Sequence, residues 1–147
     1  MNLNEQIVIE VKKWIGVKYQ HRSITKFGCD CTGLLIGVMQ SLGYAKKYKL
    51  RMYPRDWNLH SMANNYVVKE IEKVATKVVG KKQPGDLILF DEGKCTSHIG
   101  IMIEGDLFVH SLRKNRKCVI GKLTNSRWSK RVANYYRLDL EKIKQYG

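Results

Sequence analysis

The sequence predicts a single α+β domain, with helices in its N-terminal half and antiparallel strands after them. Three observations carry this. Apolar residues recur at helical spacing early in the chain, as in Ile7, Val11, Trp14 and Ile15 and again in Leu34, Leu35, Val38, Met39 and Leu42. From Gln83-Pro84-Gly85-Asp86 onward the apolar period shortens to that of strands. No linker, repeat or low-complexity tract divides the two halves, and 147 residues with 44% hydrophobic content suffice for one core but not for two ordinary domains.

Taken in order, the first helix is expected over about 3–15, ended by Gly16. A second opens at Cys31 behind Asp30, a good N-cap, and stops at Gly43. A basic, tyrosine-rich loop (44–55) leads to a third helix from about Asp56 that carries Trp57, Leu59, Met62 and Tyr66. Residues 67–79 fit a helix by spacing and a strand by their β-branched content. Strands follow at 87–90, 98–103, 107–112 and 119–123, then a short helix at 126–131 and a last strand at 132–138. The expected architecture is therefore N-terminal helices on a mostly antiparallel sheet of about five to six strands.

A net charge of +14, from 27 Lys plus Arg against 13 Asp plus Glu, would concentrate polyanions near the surface. Nucleic acid and anionic cell-envelope polymers both qualify, but the basic residues are dispersed and form no groove-reading motif, so no specific nucleic-acid partner is expected. No stretch is long and apolar enough to span a membrane, and charged residues interrupt the first thirteen, so neither a membrane span nor a signal-peptide core is expected. Synthesis in the cytoplasm follows as the expectation. The four cysteines are read as reduced thiols, because a domain of this size needs no staples.

Cys31 is the candidate nucleophile. It sits in Gly28-Cys29-Asp30-Cys31-Thr32-Gly33-Leu34, at the first turn of the second helix, where unpaired N–H groups favour a thiolate. With a neighbouring imidazolium, such a site can bring a cysteine pKa from about 8.5 to roughly 3.5–7.5. The base must come from a histidine. His98 and His110 are twelve residues apart on adjacent strands joined by Glu104-Gly105-Asp106, so register decides whether they share a face. A three-residue turn places them diagonally on one face, with Ile99, Ile101 and Ile103 on the other, whereas a two-residue turn separates them. The first is adopted, with His98 as base, His110 as its orienting partner, Gly100 leaving room between the rings, and the Cys31 helix across that same face. No metal or cofactor is needed. The competing zinc reading, with Cys29, Cys31, His98 and His110 as ligands, suffers because one residue only separates the two cysteines.

With these residues in place the chain resembles the NlpC-type papain-like cell-wall peptidases, in which Asp30-Cys31-Thr32-Gly33-Leu34, Pro84-Gly85-Asp86-Leu87 and Ser97-His98-Ile99-Gly100-Ile101 have counterparts in the same order. Gly16-Val17-Lys18-Tyr19 and Phe108-Val109-His110 extend the likeness over nearly the whole chain. Gly28-Cys29-Asp30-Cys31, Tyr53-Pro54-Arg55-Asp56-Trp57 and Trp128-Ser129-Lys130-Arg131 resemble the phage-tail and gene-transfer-agent branch.

The resemblance implies a papain-like fold and hydrolysis of a peptide bond in the stem peptide of peptidoglycan, commonly between D-glutamate and a diamino acid. It implies that Tyr19 supports the oxyanion side, and that Asp30 receives a free substrate amine if it is not simply a helix cap. It further implies phage-tail or particle proteins as partners, and leaves open delivery to the wall inside a particle, passage through a damaged membrane, or action on wall fragments in the cytoplasm. Transfer of the acyl group to an acceptor other than water stays open. Thr32 in place of the commoner serine, and Gln20-His21-Arg22 where many relatives have small residues, depart from the family pattern and bear on the pocket's shape. Cys29 is read as a packed thiol, Cys95 and Cys118 as structural, and His21 and His60 as loop and surface residues.

Overall fold

A computed structural model of the chain describes residues 1–48, 66–93 and 95–147. The helix expected from Asp56, with His60 and the 53–57 motif, lies outside the described residues, as does the side chain of Cys95.

The described elements are α1 (Leu3–Lys12), β1 (Ile24–Thr25), β2 (Gly28–Cys29), α2 (Cys31–Ser41), α3 (Tyr66–Glu72), β3 (Ala75–Lys77), β4 (Leu87–Glu92), β5 (Cys95–Met102), β6 (Leu107–Leu112), β7 (Lys117–Lys122), α4 (Ser126–Ser129), β8 (Val132–Leu138) and α5 (Leu140–Ile143). Six strands form one antiparallel sheet in the order β3-β8-β4-β5-β6-β7, and β1 and β2 pair separately. The α+β architecture is as expected. Boundaries shift by a few residues at several elements, and two of the differences have a clear cause. α1 stops at Lys12 because the chain turns over residues 13–16, where the Gly16 N–H donates to the Cys118 carbonyl on β7 at 2.8 Å. The ambiguous 67–79 segment divides into α3 and the edge strand β3, so each of the two readings holds for half of it.

β4 shows why the middle of the sheet reads as a continuous apolar run. Leu87, Ile88, Leu89 and Phe90 are all fully buried, because both faces are covered. Leu87 and Leu89 join the main core with Ile7, Val11, Leu34 and Val38. Ile88 and Phe90 join a smaller cluster with Met102, Phe108 and Trp128 of α4.

The β5–β6 turn has the three-residue form. Ile101 pairs with Val109 and Met102 with Phe108, and the Ile103 N–H donates to the Leu107 carbonyl at 2.9 Å. Ile99, Ile101 and Ile103 consequently enter the main core, and His98 and His110 fall on the opposite face. Two details of the expectation are corrected. The body of α2 packs on the isoleucine face rather than across the imidazoles, since Leu34, Leu35, Val38 and Met39 need an apolar partner and find it there. The space at Gly100 is taken by the Phe108 ring, 2.9 Å from where a Cβ would lie, not by the histidines.

Candidate active site

The segment leading into α2 is held on three sides. The Cys29 N–H donates to the Lys18 carbonyl at 2.9 Å, Ser111 Oγ donates to the Cys29 carbonyl at 2.7 Å, and the buried Cys29 thiol meets Cys118 Sγ at 3.5 Å. Asp30 then caps the helix, with Oδ1 accepting from the Gly33 N–H at 2.7 Å and from Thr32 Oγ1 at 3.2 Å. Its Oδ2 accepts from the Arg22 N–H at 2.7 Å and lies 4.0 Å from His21 Nδ1. These contacts fix the direction in which Cys31 points. Its half-buried thiol donates to the Ser97 carbonyl at 3.6 Å, so the helix start meets β5 one residue from His98.

On the other face, His98 Nε2 and His110 Nδ1 are 2.8 Å apart and both rings are buried. Trp128 stacks on His98 with ring centres 5.9 Å apart and planes at 27°, and meets His110 edge-on at 4.8 Å. His98 Nδ1 lies 4.0 Å from Glu92 Oε1. Cys31 and His98 line one cleft of about 250 Å³, whose walls also include Tyr19, Asp30 and Trp128. Only the tip of α2 has to reach the imidazoles, so packing its body on the isoleucine face still permits the encounter. His110 lies behind His98, outside the cleft lining.

Electrostatics at the resting thiol differ from the expectation. Burial first, then the carboxylates of Asp30 and Glu92, push the Cys31 thiol up, against the opposing pull of the Ile99 and Thr32 backbone N–H groups. Burial likewise lowers His98, with Glu92 opposing and Arg131 reinforcing, and lowers His110 to about 2. The helix start is present, but its field is outweighed. Both shifts favour the neutral forms of thiol and imidazole, in keeping with the hydrogen bond from Sγ to Ser97. A thiol held above its ordinary pKa needs a higher pH to ionise. Alkylation at Cys31 by iodoacetamide, followed by peptide mapping, should therefore be slow near pH 7 and still rising beyond about pH 9. A plateau at acidic pH would instead reveal a preformed thiolate–imidazolium pair.

His21, Glu92, Ser97, Trp128 and Arg131 also line the cleft, and none of them is among the site residues expected from the sequence. For His21 the signal was its position two residues past Tyr19; for the others, strand and turn positions alone do not reveal a cleft. The four proposed zinc ligands do not converge, because the Cys29 thiol turns to Cys118 and the imidazoles bond one another. Among the described residues, no group of three or more His, Cys, Asp or Glu side chains is arranged to hold a metal ion, and no helix is long and apolar enough to cross a membrane.

An antiparallel α+β domain that sets a helix-start thiol beside paired imidazoles has the layout of a cysteine peptidase. The chain belongs to the NlpC/P60 family, a family of cysteine peptidases, whose sequence profile matches residues 16–137. Over 131 residues it is 25% identical to the murein DD-endopeptidase MepS/murein LD-carboxypeptidase of Escherichia coli K12, covering 89% of this chain and 61% of that protein. It is 26% identical to the gamma-D-glutamyl-L-lysine dipeptidyl-peptidase of Bacillus subtilis 168, covering 87% of this chain and 38% of that one. The chain thus spans less than two thirds of the length of these relatives. Among solved structures, the NlpC/p60 domain of the peptidoglycan hydrolase SagA superposes with a TM-score of 0.64 at 18% identity, covering 94% of this chain and all of that one. An NlpC/P60 family protein from Bacillus cereus gives 0.62 at 26% identity, covering 93% of this chain and 40% of that one.

Proposed function

We propose that this chain hydrolyses a peptide bond in the peptidoglycan stem peptide, between D-glutamate and a diamino acid, with Cys31 as nucleophile. The observation that carries the reading is the shared cleft of the Cys31 thiol and the His98–His110 pair. With His98 Nε2–H donating to His110 Nδ1, His98 Nδ1 keeps the lone pair that a base requires. It takes the thiol proton as sulfur attacks the carbonyl and passes it to the leaving amine. Water then attacks the acyl-enzyme and frees the acid. Glu92, 4.0 Å from Nδ1, stabilises the imidazolium formed in between. The Cys31 backbone N–H at the helix start and the Tyr19 side chain in the cleft wall support the oxyanion. Mass spectrometry of peptidoglycan digested by the wild type and by Cys31→Ala names the bond and the nucleophile together.

Asp30 serves as cap and, lining the cleft, also receives a free amine on the acyl half of the substrate. Asp30→Asn separates the two roles, because asparagine caps a helix about as well as aspartate but carries no charge. The protein should stay folded but lose some thermal stability, since the amide nitrogen cannot accept from the Arg22 N–H as Oδ2 does, while the preference for a free over an acetylated N-terminal amine falls. An unchanged preference would leave Asp30 a cap alone.

Delivery by a phage-tail or gene-transfer particle is the finer reading, supported by the 28–31, 53–57 and 128–131 motifs. Finding the chain in purified tail particles tests it.

A further inference from the structure

One wall of the cleft is cationic in a way that the bond-breaking chemistry does not use. Arg113 and Lys114 stand on the β6–β7 turn, Arg127 on α4 and Arg131 just past it, and all four are exposed and line the cleft. Elsewhere Lys12, Lys13, Lys26, Lys73, Lys82 and Arg137 each pair with a carboxylate. Among the described residues, none of the four rim cations does.

Their position along the substrate follows from the chemistry. The thiol at the start of α2 marks the acyl half, with Tyr19 and Asp30 on that side; the imidazole that protonates the departing amine marks the leaving half. Trp128 lies against His98, and the guanidinium carbons of Arg127 and Arg131 are each 5.7 Å from the Trp128 ring centre. Both arginines therefore flank the leaving half. Their platform is anchored, because Trp128 is buried and the Asp91 N–H donates to the Arg131 carbonyl at 2.8 Å.

We propose that the leaving half of the substrate bears a free carboxylate, which Arg127 and Arg131 bind beside Trp128, and that Arg113 and Lys114 extend this into a preference for multiply anionic peptides. The proposal rests on peptide hydrolysis at Cys31 and His98 and names the chemistry of the departing amine. Arginine suits the task, since its planar fork matches a carboxylate and stacks on an aromatic face. There is also a catalytic reason. The positive charge of Arg131 disfavours protonation of His98, against the larger favourable pull of Glu92, and a bound carboxylate neutralises the Arg131 charge just where the imidazolium must form.

The test uses L-Ala-γ-D-Glu-L-Lys and the same tripeptide with its lysine carboxylate converted to a carboxamide. Wild-type kcat/KM should favour the free acid by roughly 10- to 100-fold, the range of one charge-assisted contact. In Arg127→Gln/Arg131→Gln that ratio should fall towards one, mainly through KM of the acid. Arg131→Lys, which keeps the charge, should recover part of it, and Lys130→Gln, outside the cleft lining, should leave it unchanged. Equal losses on both peptides, or a wild type indifferent to the carboxylate, would overturn the proposal. Calorimetric binding of the two tripeptides to Cys31→Ala keeps the two readings apart. If the wild type cleaves neither peptide, the hydrolytic assignment for this bond fails, while tighter binding of the acid still upholds the carboxylate site and equal binding still rejects it.

Discussion

Replacing His98 with alanine should lower kcat/KM on a soluble muropeptide by about three powers of ten or more, and Cys31→Ala should remove turnover to the limit of detection. The reason lies in the resting state. Burial and two carboxylates push the Cys31 thiol up, so formation of nucleophilic sulfur depends on a base that takes its proton. Among the described histidines, His98 is placed for this, since His110 stands behind it and His21 sits against Asp30 on the other wall. The double variant Cys31→Ala/His98→Ala should be no worse than Cys31→Ala alone, because the two groups act as one unit. His110→Ala should cost less, about 10- to 100-fold, as Trp128 and Phe90 still hold the His98 ring from other directions. Steady-state kinetics, with circular dichroism to establish folding, check all four. Retention of more than a tenth of wild-type activity in a folded His98→Ala protein would refute the assignment of His98 as base.

What could be read from residues alone divides along a physical line. The pairing of His98 with His110 was legible because two local facts fix it: a turn of three residues, and an isoleucine series that admits only one inward face. The start of α2 was legible for a similar reason, since the capping bond from the Gly33 N–H to Asp30 spans only three residues. Features made by elements that meet in space were not. Periodicity says that α2 is apolar nearly all round, not which face of the sheet it covers. It cannot announce that Glu92, Trp128 and Arg131, from β4, α4 and the turn between α4 and β8, surround the same imidazole. The depressed thiol pKa expected at a helix start is opposed first by burial, which tertiary structure sets, then by Asp30, whose charge beside Cys31 the sequence does show, and then by Glu92. β1 and β2, at two residues each, are shorter than any period. The segment 67–79 holds six residues of a seven-residue helix and a three-residue strand, so no single period could dominate it.

The Pro84-Gly85-Asp86-Leu87 motif lies outside the cleft lining, and its geometry predicts that Asp86→Ala destabilises the fold by about 3–5 kcal/mol, the range for removing one partner of a buried ion pair. Asp86 is fully buried, and all its bonds serve the joining of elements. Oδ1 accepts from Arg137 Nε at 2.8 Å and Asn4 Nδ2 at 3.0 Å; Oδ2 accepts from the second Arg137 nitrogen at 2.8 Å and the Gln83 N–H at 2.7 Å. One carboxylate thereby ties α1, the turn before β4, and β8 together. Gly85 lets α1 come this close: its φ of 91° disfavours a side chain, and a Cβ would lie 2.6 Å from the Asn4 carbonyl. Alanine at 86 removes the acceptor of the Gln83 N–H and half of the Asn4 bonding, whereas Arg137, whose side chain is 37% exposed, recovers part of its loss in water. Asp86→Asn keeps an acceptor and should fall between. Adding Arg137→Met to Asp86→Ala should restore some stability, because it removes the cation left without its partner. At this chain length the single variant should melt on the order of 10 °C lower by calorimetry. A shift of under about 2 °C would mean that the carboxylate does not hold the three elements together.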